Sequence, residues 1–89
     1  MFFVYVLYSF FDKKLYIGYT PDDVYRRLEK HLAKMVAATK YRLPLKLIFY
    51  EVYFTRKDAL RREKYFKTSS GKRALKFMLR ETFNNLREE

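Results

Sequence analysis

An 89-residue chain that is 49% hydrophobic and 20% aromatic holds enough apolar matter for one small core, and it is expected to be a single domain over residues 1–89. Twenty Lys and Arg against ten Asp and Glu leave a formal net charge of +10, which implies a polyanionic partner, with nucleic acid ahead of anionic lipid because no amphipathic stripe gathers the basic residues. With no cysteine and one histidine, disulfide frameworks, thiolate zinc sites and His-rich metal sites are excluded, and the composition predicts a cytoplasmic protein.

Phe2 to Phe10 is aromatic and β-branched with only Ser9 polar, the pattern of a strand buried on both faces. It is too short and too strand-like to span a bilayer. Asp12, Lys13 and Lys14 predict a turn into a second strand, in which Leu15, Ile17 and Tyr19 alternate with Tyr16 and Gly18. The two strands form an antiparallel hairpin that brings Tyr5 and Tyr16 to one face, and Gly18 allows close approach to its backbone. A helix is expected from about Pro21 to Met35, capped by Thr20 or Asp22, with Val24, Leu28, Leu32 and Met35 inward. That orientation stacks Arg27 and His31 on a flanking face.

Val36 to Pro44 reads as a basic connector whose Lys40 and Arg42 are exposed. Leu45 to Phe54 is a third strand, with Ile48, Tyr50, Val52 and Phe54 on one face and Leu47, Phe49, Glu51 and Tyr53 on the other. Thr55 caps a second helix, with Asp58 in the first turn and Ala59, Leu60 and Phe66 as its apolar side, beside Glu63. Ser69, Ser70 and Gly71 break it. A third helix runs from about Lys72 to Leu86, with Leu75, Met78, Leu79, Thr82 and Leu86 inward, and the last five residues fray, so that 77–89 is a C-terminal extension and tail.

Hydrolase triads are disfavoured, since no nucleophile elbow or glycine-rich oxyanion loop accompanies His31. The Ser69–Arg73 segment lacks the first glycine and the final Ser or Thr of a phosphate loop. What remains is two strand tyrosines, an arginine, a histidine and a helix glutamate on a very basic domain, a set suited to phosphodiester attack. Glu63 with waters and a substrate phosphate can hold magnesium. Arg27 offers a planar fork to phosphoryl oxygens, and a tyrosine near cations can orient or deprotonate water. Each also has a plain structural reading: core tyrosines, a solvated arginine, a hydrogen-bonding histidine, and Glu63 paired with Lys67 or Lys64.

Taken together, Phe3-Val4-Tyr5, Tyr16-Ile17-Gly18, Arg27 after Arg26, His31 one turn on, and Glu63 with Lys67 resemble the GIY-YIG nuclease family over roughly Phe2 to Lys76. The likeness is to the small bacterial stand-alone branch and to the N-terminal nuclease domain of the bacterial excision-repair endonuclease. The first motif lacks its glycine, the turn before Arg27 is one residue longer, which leaves Arg26 as the alternative arginine, and one family asparagine has no match. The resemblance implies an α+β fold, a small three-stranded antiparallel sheet flanked by helices in the order strand-strand-helix-strand-helix-helix. It also implies a DNA endonuclease of repair or processing that uses Mg²⁺ or Mn²⁺ held by Glu63, with Tyr5, Tyr16, Arg27 and His31 catalytic. Arg26, Lys34, Lys40, Arg42, Lys67 and Lys72 are the expected DNA contacts, no membrane is involved, and a protein partner supplying targeting fits so small a module. The rival reading is a non-cleaving nucleic-acid-binding module of the same fold, acting with such a partner.

Overall fold

The computed structural model describes residues 1–87. Strands β1 (Phe2–Ser9), β2 (Leu15–Thr20) and β3 (Leu45–Tyr53) form one antiparallel sheet in the order β2-β1-β3, with helices α1 (Val24–Leu32), α2 (Arg56–Phe66), α3 (Ser69–Met78) and α4 (Arg80–Arg87). This is the expected α+β architecture. No helix among the described residues is long and apolar enough to cross a membrane.

The central place of β1 follows from its composition: Val4, Tyr5, Val6 and Leu7 are all buried, so both faces of this strand must be covered. Val4 and Val6 pack with Ile17 against Ala59, Phe66 and Leu75 of α2 and α3. Tyr5 and Leu7 pack on the opposite face with Val24 of α1 and Leu45. Each large apolar side chain so buried contributes roughly 1.5–3 kcal/mol. Pairing of Tyr5 with Gly18 and of Leu7 with Tyr16 sets Tyr5 and Tyr16 diagonally on the α1 face. The register of β1 with β3 slips between Val6 and Leu7, because Ile48 is an extra residue there. The bulge corrects the expected alternation: Leu47 joins the Tyr5 face, whereas Phe49 packs with the Val4 and Val6 face.

Helix α1 is shorter than its hydrophobic spacing predicts. Asp23, not Thr20 or Asp22, caps it by accepting from the Tyr25 and Arg26 amides, while Thr20 accepts from the Asp22 amide in the preceding turn. Lys34, at φ 62°, takes the chain out of the helix, so Met35 lies beyond it. Leu32 and Met35 are 46% and 70% exposed, and His31 is the buried residue instead, so the inward stripe is Val24, Leu28 and His31. A histidine can take that place because both ring nitrogens find partners.

Thr55 caps α2 as expected, accepting from the Asp58 amide. Leu60 is 40% exposed, while Ala59 and Phe66 are buried, with Glu63 between them on the inward side. The break after α2 falls at Lys67 and Thr68, earlier than expected. Thr68 caps α3 through the Gly71 amide, and Ser69 and Ser70 begin that helix. A Cβ at Gly71 would meet the Tyr65 carbonyl and Phe66 Cα, so glycine permits the tight α2–α3 corner. The single third helix expected from the sequence is two, because Leu79, at φ −109° and ψ 26°, leaves helical geometry. Leu75 and Leu86 are buried, but Met78 is 43% exposed. Burial of Leu86 anchors α4 through Arg87, where fraying was expected; the rest of that expected tail, residues 88 and 89, lies outside the described residues.

Candidate active site

Gly18 is where the site begins. A Cβ there would overlap Cζ, Cε1 and Oη of Tyr5, so the hydrogen side chain lets the Tyr5 ring lie flat across β2 and reach α1. Tyr5 Oη then stands 2.8 Å from His31 Nε2, sharing a hydrogen bond, and accepts from Arg27 Nε–H at 3.3 Å. Arg27 and His31 are one helical turn apart, so α1 presents both to the same oxygen. Tyr16 completes the cluster, its ring centroid 6.3 Å from that of Tyr5 and 5.2 Å from that of His31.

The far side of the histidine is held by Thr39, whose Oγ1 lies 2.7 Å from Nδ1. Both residues are fully buried. Thr39 sits in the segment between α1 and β3, where a polar residue among basic neighbours carries no pattern that marks it in the sequence. Only the return of this segment over α1 reveals its part.

The electrostatics follow from burial and from Arg27. Desolvation pushes the Tyr5 hydroxyl up to about 12, opposed by the hydrogen bond from Arg27 and reinforced by Tyr16 and Glu63 nearby. Desolvation, aided by the Arg27 charge, lowers His31 to about 4, so the ring is neutral at neutral pH. The contact with Tyr5 in turn keeps Arg27 firmly charged.

Glu63 comes from α2, which packs against β1 and β2, and its charge is among those that act on Tyr5. Its side chain is 19% exposed and meets Lys67 Nζ at 3.4 Å. No group of three or more His, Cys, Asp or Glu positioned to hold a metal exists among the described residues.

The structure thus brings Tyr5, Tyr16, Arg27 and His31 together, with Glu63 alongside. His31 is inside the core and not on the flanking helix face that was expected. Arg26 points elsewhere, its exposed guanidinium 3.8 Å from Asp22. Lys34 and Lys72 are exposed, and Lys67 lies at the edge of the site beside Glu63. Lys40 and Arg42 are half-buried and not freely exposed: Lys40 lies over the Tyr41 ring, and Arg42 donates to Asp12 at 2.6 Å and to the Leu15 carbonyl at 3.4 Å. Those bonds tie the connector to the β1–β2 turn. A second ion pair without a sequence signal joins Arg62 to Glu51 at 2.9 Å across α2 and β3.

Comparison with known proteins finds relatives and a family. Curated relatives include the UPF0213 proteins of Streptococcus pyogenes serotype M5 (strain Manfredo), serotype M3 (strain SSI-1) and serotype M1. Each is 46% identical over 57 residues, which is 63% of this chain and 61% of the relative. The chain therefore matches somewhat under two thirds of the length of these relatives. No solved structure matches. The family model of the GIY-YIG catalytic domain matches residues 1–76, a span that contains every residue of the cluster, and the chain belongs to that family.

Proposed function

We propose that this domain is a metal-dependent DNA endonuclease that hydrolyses phosphodiester bonds in DNA repair or processing. The observation that carries the reading is the convergence of Arg27 and His31 on the single oxygen Tyr5 Oη.

The proton inventory supports these roles. Neutral His31 carries one N–H, and the Thr39 hydroxyl, fully buried, meets only His31 among the described residues. If His31 held its proton on Nδ1, the Thr39 hydroxyl proton would be buried with no acceptor. With the proton on Nε2, Thr39 donates to Nδ1 and Nε2–H donates to Tyr5, and the one donor left over is the Tyr5 hydroxyl, which a phenolate would lack. Tyr5 Oη then receives two N–H donors, both of which favour its phenolate against the cost of burial.

In this mechanism the Tyr5 phenolate takes a proton from a water held beside Tyr16. The water oxygen forms its bond to phosphorus as the bond to the leaving 3′ oxygen breaks, and that oxygen leaves with a proton from solvent. The Arg27 guanidinium stabilises charge on the phosphoryl oxygens, with its Nε committed to Tyr5 and its terminal nitrogens available. Glu63 would hold the divalent cation, Mg²⁺ or Mn²⁺. Its carboxylate is a hard oxygen donor that belongs to no group of three or more potential ligands among the described residues, which fits an ion that keeps most of its waters and binds through one carboxylate and substrate phosphates. Such an ion, when bound, supplies electrostatic stabilisation of the charge on the leaving oxygen.

The test incubates labelled branched, single-stranded and duplex DNA with the protein and with Glu63→Gln, in Mg²⁺, Mn²⁺ or chelator. Cleavage of at least one substrate is expected with metal only, and Glu63→Gln is expected to bind DNA without cutting it. Metal-independent cleavage, or parental cleavage by Glu63→Gln, would refute the assignment.

A further inference from the structure

Among the described residues several concavities lie outside the tyrosine cluster, one of them a shallow apolar one at Met1, Val52, Tyr53 and Phe54. Another, of about 600 Å³, is lined by Tyr53, Asp58, Arg61, Arg62 and Tyr65, and both of its arginines are spent: Arg61 pairs with Asp58 at 3.0 Å and Arg62 with Glu51 at 2.9 Å. A third, of about 330 Å³, runs between the β1–β2 turn and the α3–α4 corner. Its walls are Lys13, Lys14, Leu15, Arg42, Lys72, Lys76 and Phe83. No acid lines it. Its one arginine is committed to Asp12, whereas Lys14, Lys72 and Lys76 have no acidic partner among the described residues. Several uncompensated ammonium groups around one groove repel each other, a cost that an anion removes.

We propose that this groove binds a second stretch of DNA backbone, apart from the phosphodiester presented to Tyr5. The inference rests on the reading of DNA as the partner.

The chemistry of the walls selects a polyphosphate strand over a discrete small anion. A dedicated phosphate site uses a planar arginine fork or converging backbone amides, and here the fork is already used. Lysines on flexible stems instead act as point charges suited to a line of phosphates without fixed register. Lys72 and Lys76 stand one helical turn apart on α3, and Lys13 and Lys14 face them from the turn. The groove and the tyrosine cluster share strand β2 but lie on its two faces: Leu15 packs with the Val4 and Val6 face, Tyr16 with the Tyr5 face. Leu15 in its wall is the chain neighbour of Tyr16, and Arg42, bonded to the Leu15 carbonyl, follows Thr39 by three residues. A strand crossing the β2 edge at Tyr16 meets the groove at the start of the same β-strand.

The experiment measures binding of a fluorescent DNA single strand and a duplex in chelator, across a salt series, so that no result depends on hydrolysis. The parent is compared with Lys14→Gln/Lys72→Gln/Lys76→Gln and with a control triple on exposed positions elsewhere, Arg56→Gln/Lys57→Gln/Arg87→Gln. Each lost phosphate contact reduces the slope of log K against log salt by about 0.7 to 0.9, so the groove triple is expected to lose about 2 to 3 from the slope, and the control less than about 1. Thermal melting of each variant confirms that it is folded. A parental slope in the groove triple, or an equal loss in the control, overturns the proposal. So does loss of binding to phosphatidylglycerol vesicles with DNA binding intact. A protein that binds through the groove but cuts nothing refutes the nuclease reading alone, and one that cuts with an unchanged slope refutes the groove alone.

Discussion

Tyr5→Phe removes one oxygen and nothing else, and the structure sets what that oxygen does. It is the partner of His31 Nε2 at 2.8 Å and of Arg27 Nε at 3.3 Å. His31 is fully buried, so its nitrogen is left without a partner or water, at a cost of about 1–3 kcal/mol; Arg27 reaches solvent and adds little. For a domain of this size each kcal/mol moves the melting temperature by about 4–8 °C. Cleavage is therefore compared at a temperature where both proteins are folded, with the same DNA and saturating metal. Loss of the general base is expected to lower the rate by about 10² to 10⁴-fold, far beyond what that destabilisation explains in folded protein. The pH profile is the sharper readout. With Tyr5 held up at about 12, the phenolate fraction rises about tenfold per pH unit through the neutral range, so the parent rate should rise with pH and the Tyr5→Phe residual rate should not. A variant that cuts within a few-fold of the parent, with the same pH profile, would refute the role given to Tyr5.

Gly18→Ala places a methyl group where the Tyr5 ring lies, and overpacking of this kind costs about 1–3 kcal/mol; the displaced hydroxyl should leave a folded protein that binds DNA with cleavage reduced at least tenfold, checked by melting, binding and single-turnover assays. Arg27→Lys is expected to be severely defective, since lysine lacks the Nε–H that meets Tyr5, whereas Arg26→Lys should be mild because Arg26 only pairs with Asp22 at the surface; the reverse ranking in cleavage assays would transfer the role to Arg26. His31, lowered to about 4 in the fold from an ordinary 6.5, leaves the unfolded chain binding more protons between those values. Its contribution is thus complete above about pH 6.5 and is lost as pH falls towards 4, by at most about 1.4 kcal/mol per unit, and denaturant titrations of the parent against His31→Gln should show that slope only in the parent.

Local pattern was enough to place the three strands, the buried character of β1 and the Thr55 cap, because period-2 alternation and side-chain capping are decided within a few residues. The same holds for the identities of Tyr5, Tyr16, Arg27, His31 and Glu63, carried by motif spacing. Where the pattern misled, a distant contact outweighed it. The apolar Leu32 and Met35 suggested the inward face of α1, yet the helix stops at Leu32 and His31 is the residue taken inside, because Tyr5 and Thr39, 26 residues before it and 8 after, satisfy both of its nitrogens. The extra residue Ile48 turned Leu47 and Phe49 to opposite faces, and no alternation rule foresees a bulge. Thr39 had no mark at all, and Arg42 read as a free surface charge until the fold set Asp12 beside it. The residues of the cluster are thus named by sequence, but which nitrogen meets which oxygen is decided by chain return, since hydrogen bonds depend on tenths of an ångström that only the packed sheet and helix supply.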